Sequence, residues 1–488
     1  MLYIDAMKLY FYRLSVFVLC IGWIMASCND NDDIYQQEQE SMCYEVTDSM
    51  VVPAEDYADH LDEVYDVPMV SQYCSIISTA AKLFYNTRLP QLQEFFENES
   101  QETGVAGAPW GIASYVFNYP SIAANGEEVT LSARVTFPKY DDENMRHSLS
   151  SLTLCSHQLS GQRFLLPSKM EGLLCSRVVF NSAVIEPDYE GYGVSSDRTY
   201  CFWSNMTQAR QMADCVEAAI QLMEQHHVTL ADDGFSTCWG FSMGAPGALA
   251  FVRYYETEAS EEFRQKVRLH SAAVGCGPLS MEMVFDYLAE CVDAPALPFH
   301  WTMLGLKSLE QSRLEGFTFN DLIPEWVKTV QVESSTISGS YLDIWMQNNM
   351  IEVVTSLDSS FTEMGLSSLL AEDMVDSEGH LIESSPKVKM MRKVLAEEND
   401  CWEGWAPQIP LYFVHHPKDG GAPYLPARKF YEELASRGGN VFWHDDTLPE
   451  ILETKGMLTH IFSYMFNLFR GCMCIYPSEI SEVLQREN

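Results

Sequence analysis

The segment GFSMG at positions 240–244 constrains the fold of this chain more than any other feature. An apolar, β-prone run at 235–239 precedes it, and a helix-forming run rich in small residues follows it. This order predicts a strand, a sharp turn that presents the hydroxyl of Ser242, and then a helix. The residues two before and two after such a serine press against neighbouring backbone. Gly240 and Gly244 meet that demand because they carry no Cβ.

Strands and helices alternate along much of the chain. A turn signal, ANG at 124–126, lies between two β-prone runs and predicts a hairpin. Elsewhere, short apolar runs alternate with amphipathic segments of helical period. We therefore predict an α/β fold with a mostly parallel sheet flanked by helices. The predicted strands are 115–117, 129–137, 152–155, 182–185, 235–239, 269–275 and 411–414, and the predicted helices are 69–84, 209–225, 245–255, 427–436 and one from about residue 458.

The region 277–405 interrupts this alternation, because its pattern is mostly helical and contains no convincing strand. A block of this length approaches a small domain in size. It predicts a helical cap, or lid, inserted between two parts of the core. The core would then comprise 67–276, which includes an N-terminal helical extension, and 406–488.

Ser242 is the candidate nucleophile, and a serine hydroxyl needs a general base that is oriented by a carboxylate. Serines in strand–turn–helix motifs of this kind are followed in the chain by the acid and then by the histidine. Asp419 lies in a glycine-rich loop directly after the predicted strand 411–414, and His460 opens the last amphipathic helix. Asp419 and His460 are therefore the predicted acid and base.

Three other histidines lie nearby in the sequence. His444 competes with His460 for the role of base, but it falls in or just after a strand-like run and is predicted to lie on the surface. His415 and His416 precede Asp419, which is too early in the expected order, so both are predicted to be structural.

A second requirement is a pair of backbone N–H donors for the negative charge that develops during acyl transfer. The N–H of Met243, directly after the serine, is the first predicted donor. The second is predicted from the loop after the strand 152–155, where Gln158 or Leu159 would supply it.

The first 27 residues resemble a targeting segment. Lys8 and Arg13 precede an apolar run that is about 13 residues long, too short to span a bilayer as a helix. The run ends in ASC at 26–28, which resembles a bacterial lipobox, so Cys28 is the predicted lipid anchor. An ordinary cleaved secretory signal is the alternative.

The stretch 28–66 is polar and acidic, and it is predicted to be a tether with little structure. Its beginning, NDNDD at 29–33, resembles the acidic export signal of surface lipoproteins in some Gram-negative bacteria. The prediction is an exported protein, anchored by lipid to the bacterial outer membrane on its periplasmic side or at the cell surface.

The charge and the cysteines exclude some classes of function. A formal charge of −39 spread along the chain repels phosphate backbones, so no nucleic-acid partner is expected. Among 14 cysteines, the pair Cys472 and Cys474 has no second pair at zinc-like spacing, so no metal site is predicted. Cys155, Cys215 and Cys238 fall in apolar runs and are predicted to be buried.

Three segments together carry a resemblance to a known family. PDYEGYG at 187–193, the GFSMG turn and the spacing H-x-x-x-D-x-x-x-P at 415–423 resemble the secretory lipase branch of the α/β-hydrolases. They also resemble bacterial lipoprotein hydrolases of the prolyl-oligopeptidase-like kind. The likeness covers about residues 113–275 and 408–470.

This resemblance implies an α/β-hydrolase fold, a Ser–Asp–His triad, a helical lid inserted before the acid strand, and ester or amide hydrolysis without a cofactor. The chain departs from the family at Met243, where glutamine is common, and at His157-Gln158, where His-Gly is common. These departures bear on the oxyanion site and on the substrate.

Three functional hypotheses follow. The first is an esterase or lipase acting on small-molecule acyl esters. The second is a serine exopeptidase acting on peptides, in which Glu190 would pair with the amino group of the substrate. The alternative role of Glu190 is to hold its own loop, and this role is favoured. The third hypothesis is an inactive surface lipoprotein that binds glycan or peptide in the same cleft.

The lipobox-like sequence makes a prediction about localisation. We expect Cys28→Ser to move the protein from the membrane fraction to the soluble fraction, because the short apolar run cannot hold the mature chain by spanning the bilayer. Fractionation and mass spectrometry of the N-terminus measure this. A soluble wild type with an unmodified mature N-terminus would contradict it.

Overall fold

The computed structural model describes residues 43–53, 111–139, 146–157, 166–169, 181–290, 299–311, 316–333, 338–340, 366–398, 402–446, 459–460 and 463. The strands are β1 (Glu45–Pro53), β2 (Gly111–Ile122), β3 (Glu128–Lys139), β4 (His147–Ser156), β5 (Ser182–Pro187), β6 (Val228–Phe241), β7 (Leu269–Gly275), β8 (Gln331–Glu333), β9 (Ser338–Ser340), β10 (Leu411–His415) and β11 (Val441–Asp445). The helices are α1 (Asn205–Gln225), α2 (Gly244–Thr257), α3 (Glu261–Val267), α4 (Met281–Glu290), α5 (Phe299–Gln311), α6 (Phe319–Leu322), α7 (Glu325–Thr329), α8 (Pro386–Glu398) and α9 (Tyr424–Ser436).

A nine-stranded sheet runs through the core in the order β1-β2-β3-β5-β4-β6-β7-β10-β11. From β5 to β11 in this order, neighbouring strands are parallel. The strands β1, β2 and β3 add an antiparallel flank, and β2 with β3 forms the predicted hairpin. The mostly parallel architecture predicted from the alternating pattern is confirmed.

The apolar runs that predicted the central strands are buried. Every residue of β5 is buried, and so is every residue of β7 except His270. Helix α1 buries the predicted apolar face and packs on α2 and on the sheet. Because the parallel strands all end at one edge of the sheet, the segments that follow β4, β5, β6, β7 and β10 meet there.

One segment that was predicted to lack structure is a strand. Strand β1 lies inside the predicted tether 28–66 and pairs antiparallel with β2. The prediction of little structure is therefore wrong for Glu45–Pro53. Most side chains of β1 are exposed, so it has no apolar alternation to reveal it. Pairing of its backbone with β2 is what holds it at the edge of the sheet.

The described part of the region 277–405 is mainly helical, as predicted, and contains the helices α4 to α8. It also contains β8 and β9, which pair antiparallel. The prediction that the region has no strand is therefore wrong at these two places. Each strand is three residues long, which is too short for a period-2 pattern to show.

Helix α5 docks on the rest of the protein through Trp203. The N–H of Trp203 donates to Ser308 Oγ at 3.1 Å. Gly305 lies so close to the indole that a Cβ there would be 2.2 Å from its ring carbons. Phe285 of α4 meets the same indole edge-on, with 5.1 Å between the ring centroids. Two helices of the inserted region are thus fixed to one buried tryptophan.

Several predictions lie outside the described residues. These are the segment 1–27, the anchor Cys28, the helix 69–84 and most of the last helix, of which only residues 459–460 and 463 are described, as helical. The domain boundaries remain predictions. Within the described part of the chain, no helix is both long and apolar enough to cross a membrane.

Candidate active site

Ser242 sits at the turn between β6 and α2, as predicted. Its φ is +54°, in the left-handed region that costs a residue with a side chain about 1–3 kcal/mol. Two backbone hydrogen bonds fix this conformation. The N–H of Ser242 donates to the carbonyl of Gly275 at 2.8 Å, and the carbonyl of Ser242 accepts from the N–H of Ala245 at 3.1 Å.

The two glycines of the motif are required by close backbone contacts. A Cβ on Gly240 would lie 2.1 Å from the carbonyl oxygen of Gly244. A Cβ on Gly244 would lie 2.0 Å from the carbonyl oxygen of Ser156, at the end of β4. Both separations are far below van der Waals contact. The predicted reason for small residues on either side of Ser242 is confirmed.

The side chains of Ser242, His460 and Asp419 lie within hydrogen-bond distance in series. The Nδ1 of His460 is 2.9 Å from both carboxylate oxygens of Asp419. Since an ionised carboxylate can only accept, Nδ1 carries the hydrogen and Nε2 is free to accept. The Oγ–H of Ser242 donates to that Nε2 at 2.9 Å. These residues lie 218 and 41 positions apart in the chain.

The loop after β10 orients Asp419. One carboxylate oxygen, Oδ1, accepts from the N–H groups of Gly421 at 2.7 Å and Ala422 at 3.0 Å. Gly421 also leaves room for the imidazole, because a Cβ there would lie 2.5 Å from Cγ of His460. The loop therefore fixes both the acid and the ring that it contacts.

Asp419 is held in its ionised form. Burial alone would raise the pKa of this carboxyl, but the charge and hydrogen bond of His460, together with His415 and the Ala422 N–H, lower it to about 2. A carboxylate that stays charged in a buried site can keep the neighbouring imidazole in one tautomer and stabilise its protonated form.

The other histidines occupy the places that the sequence suggested. His444 is exposed on the edge strand β11, and its strand pairs with β10 on the sheet. His415 and His416 are both buried. Of the described histidines, it is His460 that lies within hydrogen-bond distance of Ser242.

The candidate oxyanion donors are only partly within the described residues. Met243 is buried and directly follows Ser242 at the start of α2. Gln158 and Leu159 lie outside the described residues. Strand β4, which precedes these two residues in the chain, ends at Ser156. Ser156 pairs in register with Gly240, next to the turn that carries Ser242.

The loop after β5 is hydrogen-bonded to the end of β4. This contact was not predicted from the sequence. The phenol of Tyr189 donates to Ser156 Oγ at 2.8 Å, and His157 Nε2 donates to the carbonyl of Asp188 at 3.0 Å. Tyr189 adopts a φ of +66°. The segment PDYEGYG was singled out in the sequence. The hydrogen-bond partners of this loop could not be identified there, because a positive φ at a residue other than glycine has no sequence signal.

Glu190 is fully buried, and local groups occupy both of its carboxylate oxygens. One oxygen pairs with Arg198 Nε at 2.7 Å, and the other accepts from the N–H of Ala124 at 2.7 Å. Arg198 also reaches Glu127 at 3.5 Å. These contacts tie the β2–β3 turn to the loop after β5. They favour the loop-holding role of Glu190 over contact with a substrate.

Cys276, His415 and Asp419 form the one group in the described part of the chain whose ligand atoms lie close enough for a metal ion, within 4.8 Å of one another. Their hydrogen bonds do not suit that role. His415 Nε2 faces the carbonyl of Ala422 at 3.1 Å, which requires an N–H rather than a lone pair. Burial and then Asp419 raise the pKa of the Cys276 thiol, which opposes thiolate ligation.

Comparisons with known proteins support the fold. No family model and no curated protein matches the sequence. A candidate hydrolase from Legionella pneumophila superimposes with a TM-score of 0.57 at 12% identity, covering 91% of this chain and 99% of its own. The rice cell wall degrading esterase LipA from Xanthomonas oryzae superimposes with a TM-score of 0.53 at 19% identity, covering 77% of this chain and 92% of its own.

Together with the sheet order and the turn at Ser242, these likenesses show that the chain has the α/β-hydrolase fold. The predicted fold class is confirmed.

The lowered pKa of Asp419 makes a prediction about stability. Because the pKa of Asp419 is lowered from 3.8 to about 2, its stabilising effect is complete above about pH 5 and is lost as the pH falls from 5 through 2. The effect amounts to about 2 kcal/mol at pH 5, of which about half remains at pH 3. Between pH 5 and pH 3, we expect wild type to lose about 1 kcal/mol relative to Asp419→Asn. Urea unfolding of both proteins at the two pH values measures this, and an unchanged difference would contradict it.

Proposed function

We propose that this protein is a serine hydrolase that cleaves carboxylic esters through a covalent acyl-enzyme. The observation that carries the proposal is the series of 2.9 Å contacts from Ser242 through His460 to Asp419. The α/β-hydrolase fold supports it, because that fold carries such a serine at the strand-to-helix turn. LipA, one of the structurally similar proteins, is described as an esterase.

In the proposed acylation step, His460 Nε2 takes the proton of Ser242 as Oγ attacks the carbonyl carbon of the ester. The carbonyl oxygen becomes an oxyanion, and the backbone N–H of Met243 with one from Gln158 or Leu159 would bind it. Asp419 stabilises the protonated imidazole through Nδ1. The intermediate then collapses, the bond to the alkoxy oxygen breaks, and His460 returns its proton to the leaving alcohol.

In the proposed deacylation step, His460 takes a proton from water, and the resulting hydroxide attacks the acyl carbon. The bond to Ser242 breaks, and the proton goes to the serine oxygen. The carboxylic acid leaves and the enzyme is restored. Side chains, backbone and water suffice for every step, so we propose no cofactor.

The peptidase alternative uses the same machinery and differs in how the substrate is held. An exopeptidase would need a carboxylate that can reach a substrate ammonium group. Glu190 was the candidate, but Arg198 and the Ala124 N–H occupy it in a fully buried position. We therefore place ester hydrolysis first, with the helices of the cap shaping an apolar acyl site. The retained hydroxyl, imidazole and carboxylate argue against an inactive binding protein.

We also propose that the enzyme is exported and held at the bacterial outer membrane by a lipid on Cys28. The support is the targeting-like segment and the lipobox-like ASC at 26–28. Membrane contact would then run through the lipid alone.

The first prediction from this proposal concerns the nucleophile. Ser242→Ala should abolish ester hydrolysis and labelling by a fluorophosphonate probe, with a loss of kcat on the order of 10⁶, because the serine and histidine act as a unit. Ser436→Ala, an exposed serine at the end of α9, is the control and should keep both. Labelling of Ser242→Ala at the wild-type level would refute the assignment.

The second prediction concerns the bond that is cleaved. We expect kcat/KM to be higher for short acyl esters than for aminoacyl-proline amides. The ratio should be the same in Glu190→Gln, which should instead unfold at a lower urea concentration because it leaves Arg198 with a weakened partner. Efficient amide hydrolysis that Glu190→Gln selectively removes would establish the peptidase alternative.

A further inference from the structure

One buried histidine next to the site has no part in the proposed proton transfers. His415 is the last residue of β10 and is 2% exposed. Its Nε2 lies 3.1 Å from the carbonyl oxygen of Ala422. A carbonyl oxygen can only accept, so Nε2 carries the hydrogen and donates it.

This hydrogen bond is connected to Asp419 through a single residue, Ala422. The N–H of Ala422 donates to Oδ1 of Asp419 at 3.0 Å, while the carbonyl of Ala422 accepts from His415. His415 Nε2 itself is 3.8 Å from Oδ2 of Asp419, beyond hydrogen-bond distance. His415 therefore does not compete with His460 for the carboxylate, but it does fix the turn that orients it.

Two aromatic side chains pack around the buried ring of His415. Trp443 lies parallel to the ring at 6.2 Å, and Tyr424 meets it edge-on at 5.7 Å. Burial lowers the pKa of His415 despite the nearby Asp419. An imidazole that carries a hydrogen on Nε2 can donate to the carbonyl of Ala422.

We propose that His415 is a positioning residue of the hydrolase. It holds the Asp419–Ala422 turn so that the carboxylate stays in hydrogen-bonding position to Nδ1 of His460. This inference rests on the proposed function for its kinetic consequence, but not for the geometry that it asserts. A displacement of about 1 Å in a catalytic group can cost about 100-fold in rate, so a loosened turn should lower kcat.

The test compares His415→Gln with His415→Leu. The amide N–H of glutamine can stand where Nε2 stood and donate to Ala422, whereas leucine cannot donate. We expect His415→Leu to lower kcat for a short acyl ester about 10- to 100-fold with KM within about twofold. His415→Gln should retain kcat within about threefold. His444→Gln, on the neighbouring strand β11 and exposed, is the control and should match wild type.

A second readout does not need turnover. The hydrogen between His460 Nδ1 and Asp419 should give a downfield proton NMR signal, assigned by its absence in Asp419→Asn. We expect this signal in wild type and in His415→Gln, and its loss or broadening in His415→Leu. If the leucine variant does not fold, His415→Asn replaces it, because its amide is too short to reach Ala422.

The outcomes separate the two proposals. Equal kcat in the glutamine and the non-donating variant, or an unchanged downfield signal in the non-donating variant, would overturn the positioning role. A wild type that hydrolyses no ester and takes up no fluorophosphonate would overturn the proposed function. In that case the NMR comparison still decides whether His415 holds the turn.

Discussion

The close contact between the end of β4 and the start of α2 is the constraint on which the rest of the site depends. The carbonyl of Ser156 and the backbone of Gly244 are so near that no Cβ fits between them. The same is true between Gly240 and Gly244. Strand, turn and helix are therefore locked together, and the positive φ of Ser242 persists because its surroundings leave no relaxed alternative. The buried parallel strands on either side of β6 offset that strain.

The base and the acid depend on the same kind of contact at a second place. Gly421 lets the ring of His460 approach the loop that carries Asp419. Two N–H groups of the same loop donate hydrogen bonds to the buried carboxylate. Burying a lone carboxylate would cost several kcal/mol. Paired with His460, Asp419 instead becomes more acidic. Close packing and electrostatics thus act together, since the short distances permitted by glycine are what make the charge–charge interaction strong.

Features that follow from a repeating pattern or from a local steric requirement could be predicted from the sequence. Features that depend on one contact between distant residues could not. The parallel sheet was predicted from the apolar runs. The turn at Ser242 was predicted from Gly240 and Gly244, because the steric reason for glycine at these two positions lies within the motif itself. Asp419 and His460 could be assigned because they follow Ser242 in the expected chain order, in the loop after a late strand and at the start of the last helix. Strand β1 was missed because most of its side chains are exposed. The hydrogen bond from Tyr189 to Ser156 was missed because it joins a loop to the end of β4 through a residue with a positive φ, which no residue pattern encodes.

A series of aromatic contacts also connects the inserted helices to the end of β4. The cap is therefore not structurally independent of the core. Trp203, on which α5 docks, stacks on Phe202 at 5.9 Å, and Phe202 packs on Tyr200 at 5.9 Å. Tyr200 in turn lies over His157 at 6.5 Å. His157 immediately precedes the segment from which the second oxyanion donor is proposed. Packed interiors transmit displacements rather than absorb them, so a side chain at Gly305, which would displace Trp203, is expected to shift His157 as well.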